Sequence, residues 1–406
     1  MIRKIIKSAA LLFAAFSFLS AQSTNIKLGD EILLAEKFEL IKNKNIGLIT
    51  NTSAVLSDGQ PFIDSLLKTD SVRIKSVFAL EHGFDLRAGA GVLIKDDYIK
   101  QIKVHSLYGQ TKKPTPQMMQ GLDVIVFDIQ DVGARFYTYI SSLKYVLEAC
   151  AENNVEIIVC DRPNPLGGLY VDGPILEDEY KSFVGIDNLP VVHGMTIGEI
   201  AAFFNDRIPR RANLTIVKME GWQRSKYWDE LNLTWRSPSP NIINFTSVLL
   251  YPAVCYFEGT NISEGRGTYT PFNIIGAPFI NARELRNVIE KELNGVIEAR
   301  AIEFVPVSIE DMAMNPKYKG NICSGVQLVI KDRKRYKPVE TGVKLISIMH
   351  KLYPDKFEMT EYFDLLWGTN SVKSQILAGK EPEQIINSWQ EKLNRFKELR
   401  NNYLLY

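Results

Sequence analysis

The sequence is poor in the residues that most often bind transition metals, with four cysteines and four histidines among 406 residues. The spacing of Cys150, Cys160, Cys255 and Cys323 matches no zinc-binding pattern, and no His-Glu-x-x-His segment is present. We therefore predict no bound metal. Cys150 and Cys160 fall in an apolar helix and strand pattern and should be buried thiols, whereas pairing of Cys255 with Cys323 stays open at this point.

The motifs of nucleotide sites and of serine hydrolases are also missing. No Gly-x-Gly-x-x-Gly segment follows a strand and opens a helix, and Gly89-Ala90-Gly91 is only a fragment of one. Neither a phosphate loop ending in Gly-Lys-Ser/Thr nor a Gly-x-Ser-x-Gly elbow is present. We predict no cofactor. Chemistry carried by carboxylate side chains remains the main candidate.

Neither sign of charge is in excess, because 48 basic residues face 47 acidic ones, for a formal net charge of +1. A nucleic-acid-binding protein normally shows a clear basic excess on the binding face. We therefore predict no nucleic-acid partner. A neutral or small anionic substrate suits this composition better.

The one long apolar run lies at the N-terminus, at residues 9–19, after the basic residues Arg3, Lys4 and Lys7. This order, followed by Ser20-Ala21 before Gln22, is typical of a secretory signal peptide. The run is shorter than the roughly 20 residues that span a bilayer, and no cysteine follows it for lipid attachment. We predict a signal peptide at residues 1–21, a periplasmic or secreted protein, and no membrane span in the mature chain.

Apolar segments alternate with helical patterns along the rest of the chain. Residues 46–50, 72–80, 124–128 and 156–160 are rich in Val and Ile, as strands of a parallel sheet are. A helical pattern covers 138–153, and Thr196 with Glu199 predicts a capped helix start. We predict an α/β fold with a Rossmann-like, doubly wound sheet in residues 22–225. A second, smaller α/β domain in residues 226–406 would close the cleft, with strands near 301–307 and 325–330 and helices near 282–293, 341–352 and 382–400.

Polar residues follow four successive predicted strands or turns. Ligands of open α/β sheets bind at the carboxyl ends of the strands, so these residues are candidates for the site. An acid in such a position also commonly caps a helix or pairs with arginine, and a lone histidine is commonly structural. Glu81, however, has no evident helix to cap. The candidates are Glu81, His82, Asp128, Arg135, Tyr137, Arg162, Asn164 and His193.

Two later loops are dense in polar residues. One is Ser237-Pro238-Ser239-Pro240-Asn241, and the other runs from Glu258 to Thr268 and carries Asn261, Glu264 and Arg266. The alternative interpretation of the second loop is an ordinary Gly-rich surface turn. An acid and an arginine directly after an apolar run favour a ligand-contacting loop.

Taken together, these segments resemble the NamZ family of exo-β-N-acetylmuramidases. The resemblance rests on Glu81-His82-Gly83, Asp128-Ile129-Gln130-Asp131-Val132-Gly133-Ala134-Arg135, Asp161-Arg162-Pro163-Asn164-Pro165, His193-Gly194-Met195-Thr196 and the two polar loops. It runs in order from about residue 45 to the C-terminus. It implies a two-domain hydrolase that releases N-acetylmuramic acid from the non-reducing ends of peptidoglycan fragments. The catalytic glutamate of the family falls on Glu81.

This resemblance suggests roles for the candidate residues. Glu81 would act as general acid/base, with His82, Asp128 or Glu264 as its partner. An arginine would bind the lactyl carboxylate of muramic acid, because its planar fork matches a carboxylate. Tyr137 or Tyr139 would stack on the sugar, and Asn164, His193, Asn241 and Asn261 would add polar contacts. The candidates for the lactyl site are Arg135, Arg162 and Arg266.

Two other classes of function stay open from the sequence. One is a periplasmic muropeptide-binding protein that uses the same cleft without turnover. The other is a cell-wall hydrolase of a different linkage, such as an amidase, although the usual zinc ligands or nucleophilic cysteine are not evident. Product formation from a muraminide separates a muramidase from both of these classes.

Overall fold

The computed structural model describes residues 26–406, so the predicted signal peptide lies outside the described residues. Within these residues the strands form a seven-stranded sheet and a three-stranded sheet. The larger sheet contains β1 (Asn45–Ile49), β2 (Arg73–Ala79), β3 (Asp97–Ile99), β4 (Ile102–Ser106), β5 (Val124–Phe127), β6 (Glu156–Cys160) and β7 (Leu214–Val217). The smaller sheet contains β8 (Ile274–Ala277), β9 (Ile297–Phe304) and β10 (Cys323–Ile330).

The larger sheet has the strand order β3-β4-β2-β1-β5-β6-β7. Every pair is parallel except β3 with β4, which form an antiparallel edge. The central strand β5 is buried along its whole length, as its apolar Val-Ile-Val-Phe sequence predicts. The strands β2, β3 and β4 lie on one side of β1, and the strands that follow them in the chain, β5, β6 and β7, lie on the other side. The switch point of this doubly wound sheet therefore lies between β1 and β5, where ligands bind in such folds.

Helices cover both faces of the larger sheet. Helices α1 (Gly29–Ala35) and α2 (Phe62–Leu67) pack on one face, and α4 (Tyr139–Asn153) and α5 (Ile197–Asn205) pack on the other, while the short α3 (Pro116–Met119) contacts α4. The start of α5 has the predicted capping box: the Glu199 N–H donates to the Thr196 hydroxyl (3.3 Å), and the Thr196 N–H donates to the Glu199 carboxylate (3.0 Å). The predicted Rossmann-like α/β class is confirmed.

The second part of the chain builds the antiparallel sheet β8-β10-β9 and seven further helices in the described residues. The predicted single helix over 382–400 is wrong, because it is interrupted at Ser388 and Trp389. There the Trp389 side chain turns into the core, and its indole N–H donates to Asp172 (3.0 Å). The helices are α6 (Phe245–Val254), α7 (Ala282–Glu292), α8 (Pro338–Leu352), α9 (Glu361–Trp367), α10 (Ser371–Leu377), α11 (Pro382–Asn387) and α12 (Gln390–Arg400).

One apolar core runs through both parts, from the α4 face of the large sheet to α6, α8 and α9. The C-terminal residues return to the large sheet, where the Tyr406 hydroxyl donates to Asp161 (2.8 Å) and accepts the Met219 N–H (2.7 Å). These contacts hold the two parts together. No helix in residues 26–406 combines the length and apolar character that a bilayer crossing requires.

The four cysteines are free and buried. Cys255 directly follows α6, and Cys323 begins β10, so the disulfide that the sequence left open is not formed in this structure. Burial raises the pKa of Cys150 and of Cys160, as expected for thiols enclosed by apolar side chains. These thiols are packing residues and poor nucleophiles.

Candidate active site

A cavity of about 500 Å³ lies where the loops after β2, β4 and β5 meet the second part of the chain. This volume lies within the range of small-ligand sites in proteins. The first part contributes Glu81, His82, Ala90, Gly91, Tyr108, Lys112, Phe136, Tyr137, Thr138, Ser182, Phe183 and Val184. The second part contributes Ser239, Asn241, Ile242, Tyr251, Glu258, Glu264, Arg266, Phe272, Asn315, Pro316, Lys317, Tyr362 and Leu365.

Glu81 is held at the cavity by the tight turn that follows β2. His82 and Gly83 both have positive φ (74° and 81°), which turns the chain sharply after the strand. The Glu81 carboxylate is largely buried and accepts hydrogen bonds from the Gly91 N–H (3.2 Å) and the Thr138 hydroxyl. Among residues 26–406, no basic side chain forms a salt bridge with it. Glu81 is therefore positioned by neutral donors.

His82 is a neutral imidazole with a defined tautomer. Its Nδ1 lies 2.8 Å from the Ala88 carbonyl oxygen, and a carbonyl can only accept, so Nδ1 carries the proton. Nε2 then carries no proton and can accept a hydrogen bond. His82 is one of the residues that line the cavity. Burial lowers the pKa of His82, although the negative charge of Glu81 opposes this shift. The ring can accept a hydrogen bond beside Glu81 without adding positive charge.

The wall formed by the second loop carries a compact cluster of charges. The Arg266 guanidinium donates to Glu258 (2.7 Å) and lies 3.4 Å from Glu264, while Lys317 donates to the other oxygen of Glu264 (3.0 Å). Burial raises the pKa of Glu258, and Arg266 opposes this shift. Burial alone would lower the pKa of Arg266, but the two carboxylates raise it above its ordinary value. This cluster brings together two predicted residues, Glu264 and Arg266.

Aromatic side chains line much of the remaining surface. Tyr137 meets Tyr251 edge to face, with ring centroids 6.1 Å apart, and its buried hydroxyl has no hydrogen-bond partner among the described residues. Tyr108 approaches from the loop after β4, and burial together with the charge of Glu81 raises the pKa of its hydroxyl. Tyr362 enters from α9. Such rings combine an apolar face with a polar tip, which suits the mixed surface of a sugar.

Arg162 and Asp128 were predicted to reach the site, but they lie in a buried ion-pair network outside the cavity. Arg162 donates to both oxygens of Asp128 (2.6 and 2.8 Å), to Asp30 (2.6 Å) and to the Val55 carbonyl (3.0 Å). Arg162 is 2% exposed, and both aspartates are 0% exposed. The guanidinium donors are thus engaged inside the protein, and this network joins α1 to the ends of β5 and β6.

Arg135 also lies outside the cavity. Its side chain is completely buried and donates to the backbone carbonyls of Pro174 (2.9 Å), Leu189 (2.8 Å) and Leu366 (2.9 Å). Burial lowers its pKa to about 10. Because Leu366 belongs to α9, Arg135 ties the first part of the chain to the second and has no path to a substrate.

His193 and Asn164 are buried structural contacts. The His193 ring accepts the Met195 N–H (3.1 Å), and burial, with the charges of Arg400 and Arg135, lowers its pKa to about 3. Asn164 donates to the Met195 carbonyl (2.9 Å) and accepts the N–H of Leu166 (2.9 Å). Neither side chain lines the cavity.

Asn261 lies in the second polar loop but turns away from the cavity. Its amide donates to the Lys356 carbonyl (2.7 Å) and accepts the Glu358 N–H (3.0 Å), which fixes the loop against the segment after α8. Half of the twelve predicted site residues therefore line the cavity. They are Glu81, His82, Tyr137, Asn241, Glu264 and Arg266.

Several cavity residues were not among the predicted site residues. Glu258 lies at the start of the second polar loop, and that position could have identified it as a candidate site residue. Tyr108, Lys112 and Phe183 lie in segments with no distinctive pattern, and Tyr362 falls in an ordinary helix. These residues reach the site only because the fold brings distant segments together.

A doubly wound sheet whose strand ends meet a carboxylate-bearing, aromatic cavity defines a two-part α/β glycosidase. The chain belongs to the NamZ exo-β-N-acetylmuramidase family: the N-terminal family model matches residues 46–246, and the C-terminal model matches residues 249–406. The predicted resemblance is thereby confirmed.

Characterised and solved relatives agree with this assignment. The chain is 42% identical over 391 residues to the peptidoglycan β-N-acetylmuramidase NamZ of Bacillus subtilis (strain 168), covering 95% of this chain and 93% of the relative. Two crystal structures of DUF1343 family proteins from Bacteroides fragilis NCTC 9343 have TM-scores of 0.85 and 0.77, with 32% and 34% identity. Each covers 94% of this chain, and this chain covers 99% of each.

Proposed function

We propose that this protein is an exo-acting glycoside hydrolase that releases N-acetylmuramic acid from the non-reducing ends of peptidoglycan fragments, with Glu81 as general acid/base. The B. subtilis relative, named a peptidoglycan β-N-acetylmuramidase, supports the substrate class. The observation that carries the role of Glu81 is its environment. Of the three glutamates in the cavity, Glu258 and Glu264 are paired with Arg266, whereas Glu81 has no basic partner in the described residues.

Proton transfer is the step that Glu81 would perform. A glycosidase acid protonates the leaving oxygen as the bond to the sugar breaks, and the transition state resembles an oxocarbenium ion. The Gly91 N–H and the Thr138 hydroxyl hold the carboxylate of Glu81 in one orientation without a salt bridge.

Asn241 would bind the 2-acetamido group of the sugar. Its amide nitrogen donates to the Met312 carbonyl (3.0 Å), which sets the orientation of the amide. Asn241 lines the cavity, and its buried Oδ1 has no hydrogen-bond partner among residues 26–406. A buried acceptor without a partner is costly, so an acetamido N–H that bonds to it would be recognised strongly.

The decisive experiment compares a chromogenic β-N-acetylmuraminide with the matching glucosaminide. We expect the wild-type protein to cleave the muraminide with a kcat/KM at least roughly 10-fold higher, because one charged hydrogen bond is worth at least that much. Binding of the muraminide without product would identify a binding protein. Release of stem peptide from intact muropeptides, with no muraminide cleavage, would identify a hydrolase of another linkage.

The exo mode has its own test. A cavity of about 500 Å³, lined by Gly91 on one side and by residues 315–317 on the other, suits one terminal sugar better than the middle of a strand. Digestion of glycan fragments that carry N-acetylmuramic acid at the non-reducing end should release this monosaccharide from the first time point. Release of longer oligosaccharides first would contradict the exo mode.

We further propose that the protein is exported, as its N-terminal residues predict. The mature chain should begin near Gln22, because the Ser20-Ala21 pair follows the apolar run as a cleavage site does. N-terminal sequencing of protein purified from the periplasm or medium of the producing cell measures this directly. An intact Met1 on protein in the membrane fraction would contradict the proposal.

A further inference from the structure

The cavity contains a basic side chain that is not paired with an acid. Three basic side chains line it, and two have carboxylate partners: Arg266 contacts Glu258 and Glu264, and Lys317 contacts Glu264. Lys317 also donates to two backbone carbonyls (2.6 and 3.0 Å), so its three donors are engaged. Within residues 26–406, Lys112 forms no salt bridge.

Aromatic rings hold the ammonium group of Lys112. Its Nζ lies 4.1 Å from the ring centroid of Phe183 and 5.9 Å from that of Tyr108. The two rings are 5.7 Å apart, and Tyr145 stacks behind Phe183 at 6.3 Å. Ring faces attract a cation but do not neutralise it. Lys112 therefore has aromatic neighbours but no carboxylate partner among the described residues at the cavity wall.

Ser182, the neighbour of Phe183 in the chain, also lines the cavity, and its buried hydroxyl has no hydrogen-bond partner among the described residues. The backbone groups of Ser182 and Gly185 bond to each other (2.9 and 3.1 Å), which fixes this turn. An ammonium and a hydroxyl on one wall form a binding site for a carboxylate.

We propose that Lys112, assisted by Ser182, binds the carboxylate of the substrate, which in an N-acetylmuraminide is the lactyl group. The inference rests on the proposed function. The proposal assigns binding of the lactyl carboxylate to Lys112 and not to any of the three arginines predicted from the sequence. Arg135 and Arg162 are buried elsewhere, and Arg266 is already paired with Glu258 and Glu264.

The test measures the specificity ratio, which is kcat/KM for the chromogenic muraminide divided by kcat/KM for the glucosaminide. In Lys112→Gln this ratio should fall by roughly 10- to 100-fold, the usual worth of a hydrogen bond to a charged group, mainly through KM for the muraminide. Lys112→Arg should retain most of the ratio. Lys113→Gln is the matched control, because the neighbouring Lys113 pairs with Glu148 (3.2 Å) and Glu152 (2.7 Å) outside the cavity.

The possible results separate the two proposals. If wild type does not cleave the muraminide, the proposed function fails before Lys112 is tested. If wild type prefers the muraminide and Lys112→Gln keeps that preference, the role of Lys112 is overturned while the proposed function stands. An equal fall of kcat/KM for both substrates in Lys112→Gln would also overturn the role of Lys112, because the loss of a purely structural lysine would have that effect.

Discussion

Replacing Glu81 with glutamine should lower kcat for a β-N-acetylmuraminide by roughly 10²–10⁴-fold, the usual contribution of general acid–base catalysis. Glutamine has nearly the same shape. Its one oxygen can still accept the Gly91 N–H, and its NH2 group can donate to the Thr138 hydroxyl, but it cannot donate and take back a proton at the glycosidic oxygen. The melting temperature should therefore change little. Steady-state kinetics with a chromogenic substrate, together with a thermal melt, measure both quantities.

The matched control for this variant is Asp85→Asn. Asp85 lies four residues further along the same loop and is exposed, so the change removes a carboxylate without touching the cavity. It should leave kcat unchanged. Retention of more than about a tenth of the wild-type kcat by Glu81→Gln would mean that another group supplies the proton, because a tenfold change corresponds to only about 1.4 kcal/mol of barrier.

Replacing Arg162 with methionine should lower the free energy of unfolding by about 3–5 kcal/mol, the cost of removing one partner from a buried ion pair. The change leaves the carboxylates of Asp30 and Asp128 without their common cation in a site closed to water. Burial already raises the pKa of Asp30, and Arg162 opposes this shift, so losing Arg162 removes the one group that favours its ionised form most. Urea denaturation monitored by tryptophan fluorescence measures the loss.

A matched surface pair provides the control. Arg333 also donates twice to one aspartate, Asp229 (2.6 and 2.7 Å), but both side chains are partly exposed. Arg333→Met should cost no more than about 1 kcal/mol, as exposed ion pairs do. The folded fraction of Arg162→Met should keep its KM for the muraminide. A raised KM with an unchanged free energy of unfolding would instead indicate that Arg162 contacts the substrate.

Much of the fold follows from local sequence patterns. The sequence shows the apolar segments of β5 and β6 and the helical spacing of α4 directly. Burial on one or both faces of such an element selects apolar residues at regular positions along it. The short strands β3 and β4 were not predicted, because β3 is largely exposed at the sheet edge and β4 has only two buried residues, Val104 and Ser106. Element ends differ from the predicted ones by a few residues, because capping and chain direction also depend on tertiary contacts.

The sequence by itself determined the doubly wound sheet and the position of Glu81 at the end of β2. This was possible because parallel strands direct their carboxyl ends to one edge, so the residue after a buried strand has a predictable location. His82 is placed by the same argument. Both residues do line the cavity.

Only the tertiary structure decided which basic side chain lies at the cavity without an acidic partner. Arg162 and Arg266 both stand in polar segments beside acids, but Arg162 meets Asp30, which lies 132 residues away in the chain. Lys112 and Phe183 likewise come together from separate loops. The charge of a side chain is a property of the residue, whereas its partner and its exposure to water depend on long-range packing. That packing made Arg162 part of the protein interior and left the charge of Lys112 facing the cavity.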